Sequence, residues 1–153
     1  MNRVICLAAV LFFPALAVAD NDDVQKELKS LQGTWKTVGM EVGGQPLPKD
    51  QILNFNVTVG ADGKSTGKLP EEEFKFTITI DPTKKPKTIN NVHETGDQKG
   101  KKQFGIYKLE GDKWTVCMSW PGADEADRPK AFNSKDSPHV VFVFERVKEE
   151  KKP

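Results

Sequence analysis

Side chains able to do chemistry are few in this chain and scattered along it. Two histidines, His93 and His139, fall in different regions, and neither has a second His or a Cys at metal-ligand spacing. His93 and Glu94 are neighbours in an extended stretch, so their side chains leave opposite faces and cannot share an ion. Both histidines read as surface polar residues. Cys117 would be a nucleophile only as an accessible thiolate; among apolar neighbours a lone thiol reads as a small core residue. The carboxylates of Glu71, Glu72, Glu73, Asp124, Glu125 and Asp127 lie in polar stretches, where ordinary solvation leaves no acid tuned for proton transfer. No glycine-flanked serine forms a nucleophile elbow. Gly60, Gly63 and Gly67 match no phosphate loop and read as turn glycines. On these grounds no catalytic residue, metal ligand or cofactor site is assigned, and the chain is read as non-enzymatic.

The elements that would position any site begin after a removable leader. Arg3 precedes an apolar run from Val4 to Leu16, and Ala17-Val18-Ala19 has the small-x-small pattern of a signal-peptidase site, so cleavage before Asp20 is expected. The run is short for a membrane span and contains Pro14. The expected organisation is a signal peptide over 1–19, one domain over 20–148 and a charged tail over 149–153. The expected location is outside the cytoplasm, periplasmic or secreted, with no membrane span after cleavage. Of 23 basic and 22 acidic residues, only Arg3 lies in the leader. The remainder is balanced, which argues against a nucleic-acid partner, because phosphate binding needs a basic excess. Cys6 also lies in the leader, so Cys117 is left without an intrachain partner and folding rests on packing.

Asp20 to Ser30 reads as a short amphipathic helix, with Asp22 or Asp23 at its start and Val24, Leu28 and Leu31 at helical spacing. A first strand is expected over Gly33 to Val42, ended by Gly43-Gly44-Gln45-Pro46-Leu47-Pro48. Leu53, Phe55, Val57 and Val59 alternate with polar residues, as do Phe74, Phe76, Ile78 and Ile80. Lys64 to Leu69 and Lys87 to Glu94 are poorer strands, the second with Ile89 and Val92 breaking the alternation. A hairpin with Gly111-Asp112 as its two-residue turn sets Leu109 opposite Trp114 and Tyr107 opposite Val116. Pro121 to Pro138 is a long polar loop that must cap something or stay disordered. Val140 to Val147 is the last strand, with Phe142, Phe144 and Arg146 on one side. About eight strands joined by short turns predict an all-β, antiparallel up-and-down barrel with a short N-terminal helix.

Gly33-Thr34-Trp35 at the head of the first strand, with Arg146 at the end of the last, resembles the lipocalin pattern. There a Gly-x-Trp opens the barrel and a late basic residue packs across the indole at its closed end. Over nearly the whole domain, further strings are similar to those of a lipocalin-like domain family expanded in planctomycete bacteria. They are Leu31-Gln32-Gly33-Thr34-Trp35, Gly44-Gln45-Pro46-Leu47-Pro48, Asp81-Pro82-Thr83-Lys84-Lys85-Pro86-Lys87, Gly105-Ile106-Tyr107 with Gly111-Asp112, Cys117, and Arg128-Pro129-Lys130-Ala131-Phe132. The resemblance implies a barrel with Gly33, Trp35 and Arg146 as its structural signature. It brings no activity, ligand or catalytic residue with it.

Trp35, Phe55, Phe76, Tyr107, Trp114 and Met118 either fill the interior or line an apolar cavity. So many large rings in an eight-stranded barrel favour filling. Two functions follow. The first is an exported binding module holding a small hydrophobic or amphipathic molecule, with Phe55, Phe76, Tyr107, Trp114 and Met118 as the cavity lining. It requires a cavity of about 300 Å³ or more. The alternative is an interaction module of the cell envelope, its barrel filled, docking another protein through the 121–138 loop or the sheet exterior.

Overall fold

The computed structural model describes residues 21–148; the expected leader over 1–19 and the tail over 149–153 lie outside the described residues. The elements are a helix α1 (Asn21–Leu31) and strands β1 (Gly33–Val42), β2 (Gln45–Pro46), β3 (Asn56–Val59), β4 (Lys64–Lys68), β5 (Glu73–Asp81), β6 (Lys87–His93), β7 (Lys102–Glu110), β8 (Lys113–Met118) and β9 (Val140–Arg146). β2 is a two-residue stub against the end of β1. The other eight strands pair antiparallel with their neighbours in sequence, and β9 returns to β1, closing a lipocalin-like up-and-down barrel. Closure matters because an open sheet leaves two rows of unpaired backbone groups.

The hairpin register is the one its turn dictates, with Leu109 opposite Trp114 and Tyr107 opposite Val116. The two poorer stretches, β4 and β6, are full members of the barrel. Their composition is weak for strands, but each lies between two strong neighbours whose backbone groups must be paired. Three expectations need correction. The strand expected from Leu53 begins at Asn56, because the Phe55 amide turns back to the Leu53 carbonyl at 2.8 Å. The last strand of the barrel stops at Arg146, one residue short of the expected Val147. Gly67 is no turn residue: it lies within β4, and a Cβ there would meet the Phe74 and Phe55 rings at 2.6 and 2.8 Å. Its missing side chain is the space into which those two stacked rings fit, centroids 5.8 Å apart.

The helix closes one end of the barrel. Leu28 and Leu31 turn inward onto Trp35, which is fully buried and donates its Nε1–H to the Leu31 carbonyl at 2.8 Å. Trp35 packs against Trp114 (5.5 Å between centroids), and Trp114 against Phe144 (5.2 Å). Arg146 covers the indole at 4.1 Å and donates to the carbonyls of Gln32 and Ser30, both at 2.7 Å. Ser30 lies in the last turn of α1 and Gln32 just after it, where carbonyls have no partner within the helix. Gly33 makes this approach possible: its φ is +118°, and a Cβ would come within 3.2 Å of an Arg146 guanidinium nitrogen.

The long 121–138 loop straps the outside of the barrel. Arg128 donates to the carbonyls of Gly105 (2.8 Å) and Ile89 (3.2 Å) and to Asn90 Oδ1 (2.8 Å). Pro129 and Ser134 are buried, and Phe132 packs on Ile106, Cys117 and Val141. Glu41 accepts from the backbone N–H (2.7 Å) and hydroxyl (3.0 Å) of Ser134. The outward face of β7, β8 and β9 is thus a second small core.

Candidate functional site: an apolar cavity at the open end

The interior divides into a filled half and an empty half. Next to α1 it is packed with Leu31, Trp35, Tyr107, Trp114 and Phe144. At the opposite end, where the loops after β2, β4, β6 and β8 turn, lies a cavity of about 270 Å³. The alternation of each strand determines which side chains face it. Phe74 and Phe76 sit on β5 with Lys75 between them pointing outward, and Phe142 and Phe144 on β9 are separated by Val143. The Phe55, Phe142 and Phe144 rings meet edge-on or stacked at 5.8–6.3 Å.

Of the residues expected to line a cavity, Phe55, Phe76, Trp114 and Met118 do so. Tyr107 does not. It lies deeper, buried at the helix end, with its hydroxyl donating to Glu27 Oε1 at 3.2 Å while Lys87 pairs with the same oxygen at 2.5 Å. Burial, reinforced by the Glu27 charge, pushes the Tyr107 phenol well above its ordinary range. Trp35 also belongs to the filled half.

His93 is the main surprise. Read as a surface residue, it is only 7% exposed and lines the cavity. Its ring stacks on Phe74 at 5.8 Å. Gln103 fixes its hydrogen bonding: the Gln103 amide nitrogen donates to the Ser119 carbonyl at 3.0 Å, which leaves Oε1 to accept from His93 Nε2–H at 2.8 Å. Asn91, two residues earlier on β6, lines the cavity as well. One signal would have found both. Ile89 is inward, and a strand returns to the same face every second residue, so Asn91 and His93 follow it inside.

Among the described residues, none of the side chains lining this cavity is a Lys, Arg, Asp or Glu. Two of the lining residues each carry a polar atom, Asn91 Oδ1 and Trp114 Nε1, that is buried without a hydrogen-bond partner. The rim is apolar: Leu53 and Trp120 border the opening and are 50% and 58% exposed.

The other chemistry-bearing residues are held elsewhere. Cys117 is fully buried under the strap, and burial, with the Glu41 charge nearby, pushes its thiol up to about 11. His139 donates through Nε2 to the Asp127 carbonyl at 2.8 Å on the outer loop, far along the chain fold from His93. Glu71, Glu72 and Glu73 are exposed, as expected of a solvated edge. No protein-family model, curated protein or solved structure matches the chain.

The cavity falls just short of the ~300 Å³ set for small-molecule sites. It is nonetheless well above the ~150 Å³ apolar cavity that accommodates benzene. A body of about ten heavy atoms fits that range; a long lipid chain does not.

Proposed function

We propose that this chain is an exported, non-enzymatic binding module that holds one small, largely apolar molecule in the open half of its barrel. The observation that carries this reading is the cavity itself: an apolar space left open at one end while the other is sealed by α1, Trp35 and Arg146. A barrel whose aromatics served only stability would have no reason to leave it empty, since an unfilled space of this size costs stability. The buried Cys117, with its raised thiol, supports leaving nucleophilic catalysis out. The motif strings quoted above, together with the closed barrel, support placing the chain with the lipocalin-like domains. The alternative, an envelope interaction module, draws on the exposed Trp120 and Leu53 at the rim. It draws less on the 121–138 loop, whose apolar side is committed to its own barrel.

Native mass spectrometry of the protein purified from its own host tests the reading. The expected result is a small adduct that is lost in Val116→Phe, where the added ring occupies the cavity. Absence of any adduct, with no stabilisation by small aromatic hydrocarbons or alcohols, would remove the ligand reading.

A further inference from the structure

The polar residues lining the cavity are Asn91, His93, Gln98, Gln103 and Ser119. Most of their hydrogen-bonding groups are already engaged or closed off. Gln103 bridges His93 Nε2–H and the Ser119 carbonyl, and the Ser119 hydroxyl accepts from the Phe104 N–H at 3.0 Å. Asn91 Oδ1 is shut away from open space, and Gln98 lies in the loop between β6 and β7. His93 differs. Its ring lies 5.8 Å from that of Phe74 and 6.1 Å from that of Phe76, its cross-strand partner on β5. Because the ring proton sits on Nε2, Nδ1 of the neutral imidazole carries a lone pair. This nitrogen makes no hydrogen bond among the described residues. It is nonetheless not one of the polar atoms buried without a partner, so open space reaches it. His93 thus offers the cavity an acceptor whose orientation is held by Gln103 and the two phenyl rings.

We propose that the cavity selects an uncharged ligand of about ten heavy atoms that carries one hydrogen-bond donor, an N–H or O–H, directed to His93 Nδ1. This rests on the ligand-binding reading above and narrows it to a chemical class. A carboxylate entering the cavity would lose its hydration, find no Lys or Arg in the wall, and set its own lone pairs against that of Nδ1. An ammonium would find no Asp or Glu. A bare hydrocarbon, or a ligand able only to accept, covers Nδ1 and leaves it unpaired, at the cost of its desolvation.

The test is calorimetric titration of the full chain at pH 8 with three neutral bicyclic probes of one shape: indole, which donates an N–H, benzofuran, which can only accept, and indene, a hydrocarbon. Benzoate is the charged probe. Indole is expected to bind at least about fivefold tighter than benzofuran or indene, and benzoate at least about thirtyfold weaker than indole. In His93→Phe, which keeps a ring beside Phe74 but removes the acceptor, the preference for indole is expected to fall below about twofold, with indene affinity unchanged. Thermal melting establishes that the variant folds, and His93→Leu replaces it if it does not. Nitrogen-15 spectra of the parent protein give a readout that needs no variant: the His93 Nδ1 resonance should move upfield with indole and far less with indene. Equal binding of the three neutral probes overturns the donor assignment while leaving the binding module standing. An indole preference that persists in a folded variant, or an Nδ1 resonance that indole does not move, overturns the role of His93. Benzoate binding as tight as that of indole overturns the uncharged class. If none of the four binds, the donor assignment and the reading beneath it fall together.

Discussion

Arg146 joins the first strand, the end of the helix and the β7–β8 turn. It covers Trp35, donates to the carbonyls of Ser30 and Gln32, and pairs with Asp112 at 3.2 Å. Charge-assisted hydrogen bonds of this kind contribute about 1.5–3 kcal/mol and the cation–π contact up to about 2, without adding in full. Arg146→Ala is therefore expected to lower unfolding free energy by about 3 kcal/mol in urea melts, with the Trp35 emission shifting to the red. Arg146→Lys should restore less than half of that, because an ammonium cannot fork to two carbonyls. Gly33→Ala is expected to cost about 1–3 kcal/mol by the same measurement, since φ at +118° strains any side chain. Cys117 gives a pH dependence. Its thiol is raised from 9.0 to about 11, so between those values the unfolded chain releases a proton that the folded chain keeps. The unfolded state then binds fewer protons, and stability falls as pH rises through that window. Melting temperature should decline from about pH 9 upward. In Cys117→Ala the decline should begin nearer pH 10, where the Tyr107 phenol starts to contribute in the same sense.

At the scale of elements, the strap over the outer face explains why Cys117 is buried. Phe132 and Arg128 hold the 121–138 segment down, one by packing on Cys117 and its neighbours, the other through carbonyls of β6 and β7. Arg128→Ala should loosen the strap, and a thiol reagent should then label Cys117 at least about tenfold faster than in the parent, with the barrel's far-UV spectrum retained. Most of the elements could be read from the chain because period-two alternation is a strong signal: β1, β5 and the β7–β8 hairpin fall where Trp35, Phe76 and the Gly111-Asp112 turn require. β4 and β6 are faint because, Ile89 apart, their inward residues are Ser65, Gly67, Asn91 and His93, which carry no hydrophobic signal. The same fact hid half of the candidate site. A polar residue on an inward position looks like a surface residue until the neighbouring strands are in place. Tyr107 departs from its expected place for the opposite reason: strand parity sends it inward, but parity does not say how far along the barrel axis a ring lies.

For the molecule as a whole, the partition into a sealed, filled half and an open, hollow half is what makes a binding role coherent, with rigidity supplied at one end and space at the other. The barrel is joined by its first and last strands. Trp35 lies opposite Arg146 in register, and seven residue pairs link β1 to β9. A chain made from its N-terminus must therefore hold Trp35 without its cover, and two sheet edges without partners, until the final strand is out. Synthesis that stops at His139 would yield a sticky fragment rather than a smaller domain, and size-exclusion chromatography of that truncation should show aggregate in place of monomer. The last seven residues of the barrel thus act as a completion check. Any cell that makes this protein has to shield the nascent chain until Arg146 arrives, and a premature stop anywhere upstream exposes the product to proteolysis.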